Sequence, residues 1–196
     1  VAYKEEFMVQ YNHYLSLLRL QTVAPVAGAS TSTDAKSVEK FTELVTFVSQ
    51  VAQCYPETTK ELPQQLSALL LGTGGVMMVT GDLREAVVKN LIMLRNKDVI
   101  DSIALLQTLL PLLPHAGKEL RRVVRQTILT DLKTSNQRTK NHRLNRVVQG
   151  LLFTMIENGM GGEVIGNKGK GKGKEQGGEA MWAVMMVREL WKKGVW

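Results

Sequence analysis

Residues 118–149, KELRRVVRQTILTDLKTSNQRTKNHRLNRVVQ, decide how the rest of the chain is read. Two amphipathic helix patterns meet there at the polar turn TSNQRTKNH. The first places Leu120, Val123, Val124, Thr127, Ile128 and Leu132 on one face. The second does the same with Leu144, Val147, Val148, Leu151 and Leu152, both at i, i+3, i+4 spacing. The pattern predicts a helical hairpin. Its charge is almost entirely basic: Lys118, Arg121, Arg122, Arg125, Lys133, Arg138, Lys140, Arg143 and Arg146 stand against only Glu119 and Asp131. That surplus equals the formal net charge of the whole chain, +7, so all other residues together balance to zero.

The same helical spacing recurs upstream. Residues 3–20 carry apolar positions at Tyr3, Phe7, Tyr11, Tyr14, Leu15 and Leu18, with Lys4, Glu5 and Glu6 in the first turn. The aromatic members of this stripe read as core. The small and polar VAPVAGASTSTD reads as a loop, and Asp34 as the N-cap of a helix burying Val38, Phe41, Leu44, Val45, Val48 and Val51. Cys54-Tyr55-Pro56-Glu57 ends that helix, because proline cannot continue it. A shorter helix follows from Pro63 to Leu71, and then the glycine-rich GTGGVMMVTG. Asp82 is expected to cap a helix through Leu94, closed by the tight turn Asn96-Lys97-Asp98. Asp101 or Ser102 opens IALLQTLLPLLP, apolar on nearly every side and therefore buried, with Pro111 and Pro114 at its end.

Downstream of Ile156 the composition changes. Residues 158–178 hold nine of the 17 glycines and the run KGKGKGK, with almost nothing to bury, and read as a flexible insertion. Helix returns at Glu179 with Met181, Trp182, Met185 and Trp191. About eight helices, no strand signal and hairpins recurring at roughly 40 residues give an all-α chain, a HEAT/armadillo-like alpha-solenoid. The expected organisation is a single helical-repeat domain over residues 1–196, with flexible loops near 22–35 and 158–178. The missing initiator methionine and a start inside a helical pattern suggest a fragment of something longer.

Composition narrows the function. Apolar residues make up 44% of the chain, enough for a packed core, but aromatics only 6%, which favours helix packing over a β-sandwich. Cys54 stands alone, so no intramolecular disulfide can form, and a reducing compartment is expected. There is no apolar run of about 20 residues, hence no membrane partner is expected. His13, His115 and His142 are scattered, no serine sits in a nucleophile elbow, and the GTGGV glycines match no phosphate-binding fingerprint. No catalytic residue, metal site or cofactor is expected.

A pI near 9.6 points instead to polyanions. The candidate RNA-binding residues are Arg121, Arg122, Arg125, Lys133, Arg138, Lys140, Arg143 and Arg146. Arg121, Arg122 and Arg125 fall in one sector of the first helix, while Lys140, Arg143 and Arg146 step by three. Such alignment lets side chains reach successive phosphates and release counterions. Arginine's forked donors suit phosphate better than lysine's point charge. The alternative is a solvated face, or pairing with acidic residues of neighbouring repeats. Aromatic residues are absent from the stretch, which argues against base stacking and for backbone contact. The KGKGKGK run supplies charge without geometry and is at most a nonspecific tether.

Several strings together resemble one family. YKEEFMVQYNHYLSLLRL (residues 3–20), CYPE (54–57), LRNKDVI (94–100), TDLKTSNQRTKNHRLNRVVQ (130–149) and the closing MWAVMMVRELWKKGVW (181–196) are similar to the N-terminal domain of the Sda-type, "severe depolymerisation of actin", nucleolar family. The resemblance implies a non-enzymatic assembly factor of the large ribosomal subunit in nucleus, nucleolus and nucleoplasm, needed for maturation and export. Its implied partners are large-subunit precursor rRNA, ribosomal proteins, other assembly factors and the rest of its own longer chain. Two other readings of the helical array compete with it. A karyopherin-like transport adaptor would bind proteins only, through acidic inner surfaces that this charge balance does not favour. An actin regulator would need an actin-binding helix, which the sequence does not present.

Overall fold

The computed structural model describes residues 2–23, 32–72, 81–160 and 173–195, and among them are eight α-helices and no strand. They are α1 (Ala2–Val23), α2 (Ser32–Val51), α3 (Leu62–Leu71), α4 (Gly81–Asn96), α5 (Ser102–Leu112), α6 (Lys118–Ser135), α7 (His142–Met160) and α8 (Gly173–Lys192), with a 3-10 turn at Ala52–Cys54. Several ends differ from expectation. α2 and α4 begin at Ser32 and Gly81, so Asp34 and Asp82 lie inside the first turn rather than before it. α8 begins at Gly173, six residues ahead of Glu179, taking in the end of the stretch expected to be a loop. The glycine-rich stretch at 73–80, the loop at 24–31 and most of the Gly-Lys run lie outside the described residues.

The chain divides into two compact units, Val1–Ile100 and Asp101–Trp196. In the first, α2 packs against α1 and α4, and α3 against α4. Its interior holds Phe7, Tyr11, Tyr14 and Leu18 of α1 with Phe41, Val45 and Val48 of α2, and Leu62, Leu66, Val87, Leu91 and Leu94 beyond them. The rings form a ladder. Phe7 stacks on Tyr55 at 4.1 Å, and Tyr14 on Phe41 at 5.9 Å. Tyr3 leaves the stripe: it is 88% exposed, with only its carbonyl taken up by the Tyr55 hydroxyl at 3.4 Å. Being in the first turn, it lies ahead of the point where α2 covers α1.

The CYPE corner is closed by Thr59, which is buried and whose hydroxyl donates to the carbonyls of Ala52 (3.1 Å) and Tyr55 (2.9 Å). The LRNKDV turn ends α4 with Asp98 in the left-handed region, φ 56°, its carboxylate held 2.9 Å from the Arg95 guanidinium. Val99 N–H reaches back to the Leu94 carbonyl at 2.9 Å, so the last carbonyls of α4 are satisfied as in a Schellman motif.

Tyr14 gives this unit a pH dependence. Its ring is fully buried, and its hydroxyl donates to Gln65 Oε1 at 3.0 Å. Burial raises the phenol far above the ordinary tyrosine range, and neighbouring Tyr11 adds to the shift. An unfolded tyrosine ionises near pH ~10 while folded Tyr14 stays neutral. This contribution is therefore complete below pH ~10 and declines as pH rises towards the folded value. Tyr14→Phe is expected to lower stability by about 1 kcal/mol at neutral pH, the usual net value of one such hydrogen bond. It should also flatten the alkaline limb of stability against pH, as read by denaturant unfolding from neutral to strongly alkaline buffer.

In the second unit α5 is enclosed as its sequence required. Leu105, Leu106, Leu109, Leu110 and Leu112 are all fully buried. Asp101 caps its start, accepting from Ala104 N–H at 2.8 Å. α6 and α7 pack on α5, while α8 lies mainly on α7. The hairpin buries Leu120, Val124, Ile128, Leu129 and Leu132 from α6 and Leu144, Val148, Leu152 and Met155 from α7.

Candidate nucleic-acid interface

The turn between α6 and α7 is built from side-chain amides. Asn136 and Asn145 bond reciprocally, Nδ2 to Oδ1 at 2.9 Å in both directions. Asn136 also donates to the Leu132 carbonyl and accepts from Asn141 N–H, each at 2.9 Å. Asn141 in turn caps α7, accepting from Leu144 N–H at 3.0 Å. Asn145 is buried, so this amide pair is a satisfied polar core of the turn. Nothing in the hydrophobic spacing revealed it. The one sequence signal was an asparagine standing where α7 needs a core residue.

The eight candidate cations do not behave alike. Arg121 turns inward, contrary to the expectation that it shares an outward sector with Arg122 and Arg125. Its Nε donates to the Leu113 carbonyl at 3.0 Å and its Nη2 to the carbonyls of Ala116 at 2.5 Å and Pro114 at 3.4 Å. The same guanidinium lies over the Trp182 ring, 4.6 Å from its centroid. These carbonyls belong to residues 113–116, the connection between α5 and α6, and Arg121 supplies donors to them.

Lys140 is also engaged within the fold. It precedes α7, and its ammonium donates to the carbonyls of Val195 (2.7 Å) and Gly194 (3.1 Å) at the end of α8. The remaining six present charge to solvent. Arg122 is exposed and only loosely paired with Glu119 at 3.4 Å, and Arg125 is half-buried at the border of the same face. Lys133, Arg138, Arg143 and Arg146 are exposed. Arg143 and Arg146 share the ridge of α7 opposite Leu144, Val148 and Leu152. Arg138 stands at the tip of the amide-braced turn.

The charge is divided unevenly between the two units. Residues 101–196 hold 16 of the 25 basic and 8 of the 18 acidic residues, a balance of +8, while residues 1–100 hold 9 and 10, a balance of −1. Among the described residues no group of histidine, cysteine, aspartate or glutamate is arranged to hold a metal ion. No helix among them is long and apolar enough to cross a membrane.

A family model described as "SDA1, HEAT repeat" matches residues 47–196. The chain belongs to the SDA1 family. The all-α, HEAT-type solenoid expected from the sequence is the fold class of that domain. Among SDA1 relatives, Protein SDA1 of Chaetomium thermophilum is 35% identical over 196 residues, covering all of this chain and 23% of the relative. Protein sda1 of Schizosaccharomyces pombe is 31% identical over 199 residues, covering all of this chain and 26% of its own length. The Drosophila melanogaster SDA1 homolog is 34% identical over 195 residues, again across this whole chain and 24% of the relative. The chain thus spans about a quarter of the SDA1 proteins it matches.

Proposed function

We propose that this SDA1-family chain is a non-enzymatic scaffold of ribosome biogenesis that docks on precursors of the large subunit. Its second unit contacts rRNA phosphates through Arg122, Arg125, Lys133, Arg138, Arg143 and Arg146. Other helix faces bind ribosomal proteins and assembly factors, and the site of action is the nucleolus and nucleoplasm, up to export of the subunit. The observation that carries this reading is the surplus of exposed cations on one helical hairpin, opposed nearby by little acidic charge. A rigid turn holds Arg138, Arg143 and Arg146 in a fixed arrangement, which suits a ladder of phosphates better than a mobile basic tail would. The work of such a scaffold is placement: it holds RNA and protein in an immature arrangement until released.

The test is crosslinking and sequencing of RNA bound in cells, comparing wild type with Arg138→Glu, Arg143→Glu and Arg146→Glu combined. Arg121 and Lys140 stay unchanged because the fold uses them. Wild type is expected to enrich a discrete site in large-subunit precursor RNA, and the variant to lose at least about ten-fold of that signal. Recovery of no pre-ribosomal RNA by wild type would overturn the reading in favour of a transport adaptor that binds proteins only.

A further inference from the structure

Within the first unit, α2 and α4 leave an open groove of about 420 Å³ along their packed pair. One wall is a stripe of α4 at i, i+3, i+4 spacing: Asp82, Glu85, Ala86, Lys89, Asn90 and Met93. Thr46 of α2 stands on the other side. Asn90 is the unusual member of this stripe. It is only 4% exposed, and its neighbours Val88 and Leu91 belong to the core. A polar side chain so deeply set needs partners for its amide, and where those partners lie decides what the groove offers.

The surroundings fix the orientation of that amide. The Thr46 hydroxyl gives its proton to the Thr42 carbonyl at 2.9 Å, so towards Asn90 it only accepts. The Ala86 carbonyl is likewise an acceptor. Asn90 Nδ2 donates to both, at 3.2 and 2.8 Å. The amide nitrogen is thereby used up, and Oδ1 is left without a donor among the described residues. It is not sealed off from the outside, so the groove is its open side.

The rim adds charge to this acceptor. Asp82 and Glu85 bring carboxylates, while Lys89 is the one cation of the lining and is paired with Glu85 at 2.7 Å. An anionic ligand would meet Asp82 and Oδ1 with no free donor. An apolar side chain would strip water from Oδ1 without replacing its hydrogen bond. A guanidinium answers both: its fork reaches an amide oxygen and a carboxylate together, and its flat face and methylene stem suit Ala86 and Met93. The first unit carries a net −1 against +8 in the second, which favours approach of a basic protein segment to the first.

We propose that the α2–α4 groove takes an arginine side chain from a basic segment of a partner protein. The guanidinium donates to Asn90 Oδ1 in the depth of the groove and to the Asp82 or Glu85 carboxylate at its rim. All the residues involved belong to the first unit, so the inference does not draw on the RNA contact of the basic hairpin.

The test titrates the 196-residue chain, methyl-labelled at methionine, with a capped tripeptide of arginine between two glycines, and follows the Met93 methyl signal by NMR. The control peptide carries citrulline, which keeps the shape of arginine and loses its charge. The arginine peptide is expected to shift the Met93 signal saturably and to bind at least about five-fold more tightly than the control. Asp82→Asn combined with Glu85→Gln, both at the rim, should weaken it about five-fold. Lys89→Gln releases Glu85 and removes the competing cation, so it should tighten binding about two-fold, a gain that no folding defect produces. Asn90→Leu, which deletes the acceptor, should weaken binding about ten-fold. Equal binding of the two peptides, or affinities unmoved by the rim and Lys89 variants, would overturn the site and leave Asn90 a packing residue between α2 and α4. Binding by this chain but not by a longer form of the protein would also overturn the proposal, since the groove would then be covered by the protein itself.

Discussion

Replacing Arg138, Arg143 and Arg146 together with glutamine is expected to weaken binding of a short single-stranded RNA roughly a hundred-fold at about 0.1 M salt. The size follows from counterion release. Each phosphate neutralised on a single strand contributes about 0.7 to the slope of log K against log salt, or about five-fold in affinity at that salt. Three contacts multiply to about a hundred. The six contacts proposed above give a slope near −4.2, so wild-type affinity falls about three-hundred-fold between 50 and 200 mM salt. A variant with three contacts left would lose only about eighteen-fold over the same range. The slope is the sharper measurement, because a folding defect lowers affinity at every salt concentration without changing it. Glutamine is preferred to glutamate here, since reversal adds repulsion and obscures the count. All three arginines are exposed, and the turn beneath them is held by Asn136 and Asn145, so circular dichroism should be unchanged. A variant with the wild-type slope would show that these side chains meet no phosphate.

The order of helices was legible in the sequence because each rests on local chemistry. Apolar spacing marked the hairpin, and the apolar run between Asp101 and Pro114 marked a buried helix. Asp101 capped where its position predicted. Helix starts were less legible at Ser32 and Gly173, where helix extends into polar or glycine-rich residues that carry no periodic signal. The candidate site was legible in charge but not in direction. Arg121 and Arg122 look equivalent as neighbours in a basic run. What separates them is the row of carbonyls in the connection between α5 and α6 and a tryptophan from α8, and no spacing rule within α6 encodes either. The end of α8 meets the hairpin through a contact 55 residues apart in sequence, Lys140 to the Val195 carbonyl. Reading the hairpin alone therefore missed that Lys140 is engaged by the fold. The stripe from Tyr3 to Tyr14 shows the converse limit, since its spacing continues past the point where a partner helix covers it.

Arg121→Ala should be among the most damaging single substitutions in the second unit, lowering its stability by about 3 kcal/mol. Hydrogen bonds from a charged donor each contribute about 1.5–3 kcal/mol, a cation–π contact about 0.5–2, and the terms overlap. Removing the guanidinium leaves the carbonyls of Leu113, Pro114 and Ala116 without the donors that satisfy them, and uncovers the Trp182 ring. Arg121→Lys should recover only part of the loss. A single ammonium cannot fork across carbonyls of three residues or lie flat on an indole. Arg122→Ala, one residue on, removes an exposed side chain with a loose i,i+3 pair and is expected to change stability by less than about 0.5 kcal/mol. All three tryptophans lie beyond residue 180, so fluorescence during urea unfolding reports the second unit, and circular dichroism reports both. The contrast between two adjacent arginines makes the result decisive. Should Arg121→Ala prove as stable as wild type and bind RNA as weakly as Arg143→Gln, its side chain would belong with the phosphate contacts after all. Should it unfold early while Arg143→Gln does not, the basic hairpin divides into cations that build the fold and cations that face its ligand.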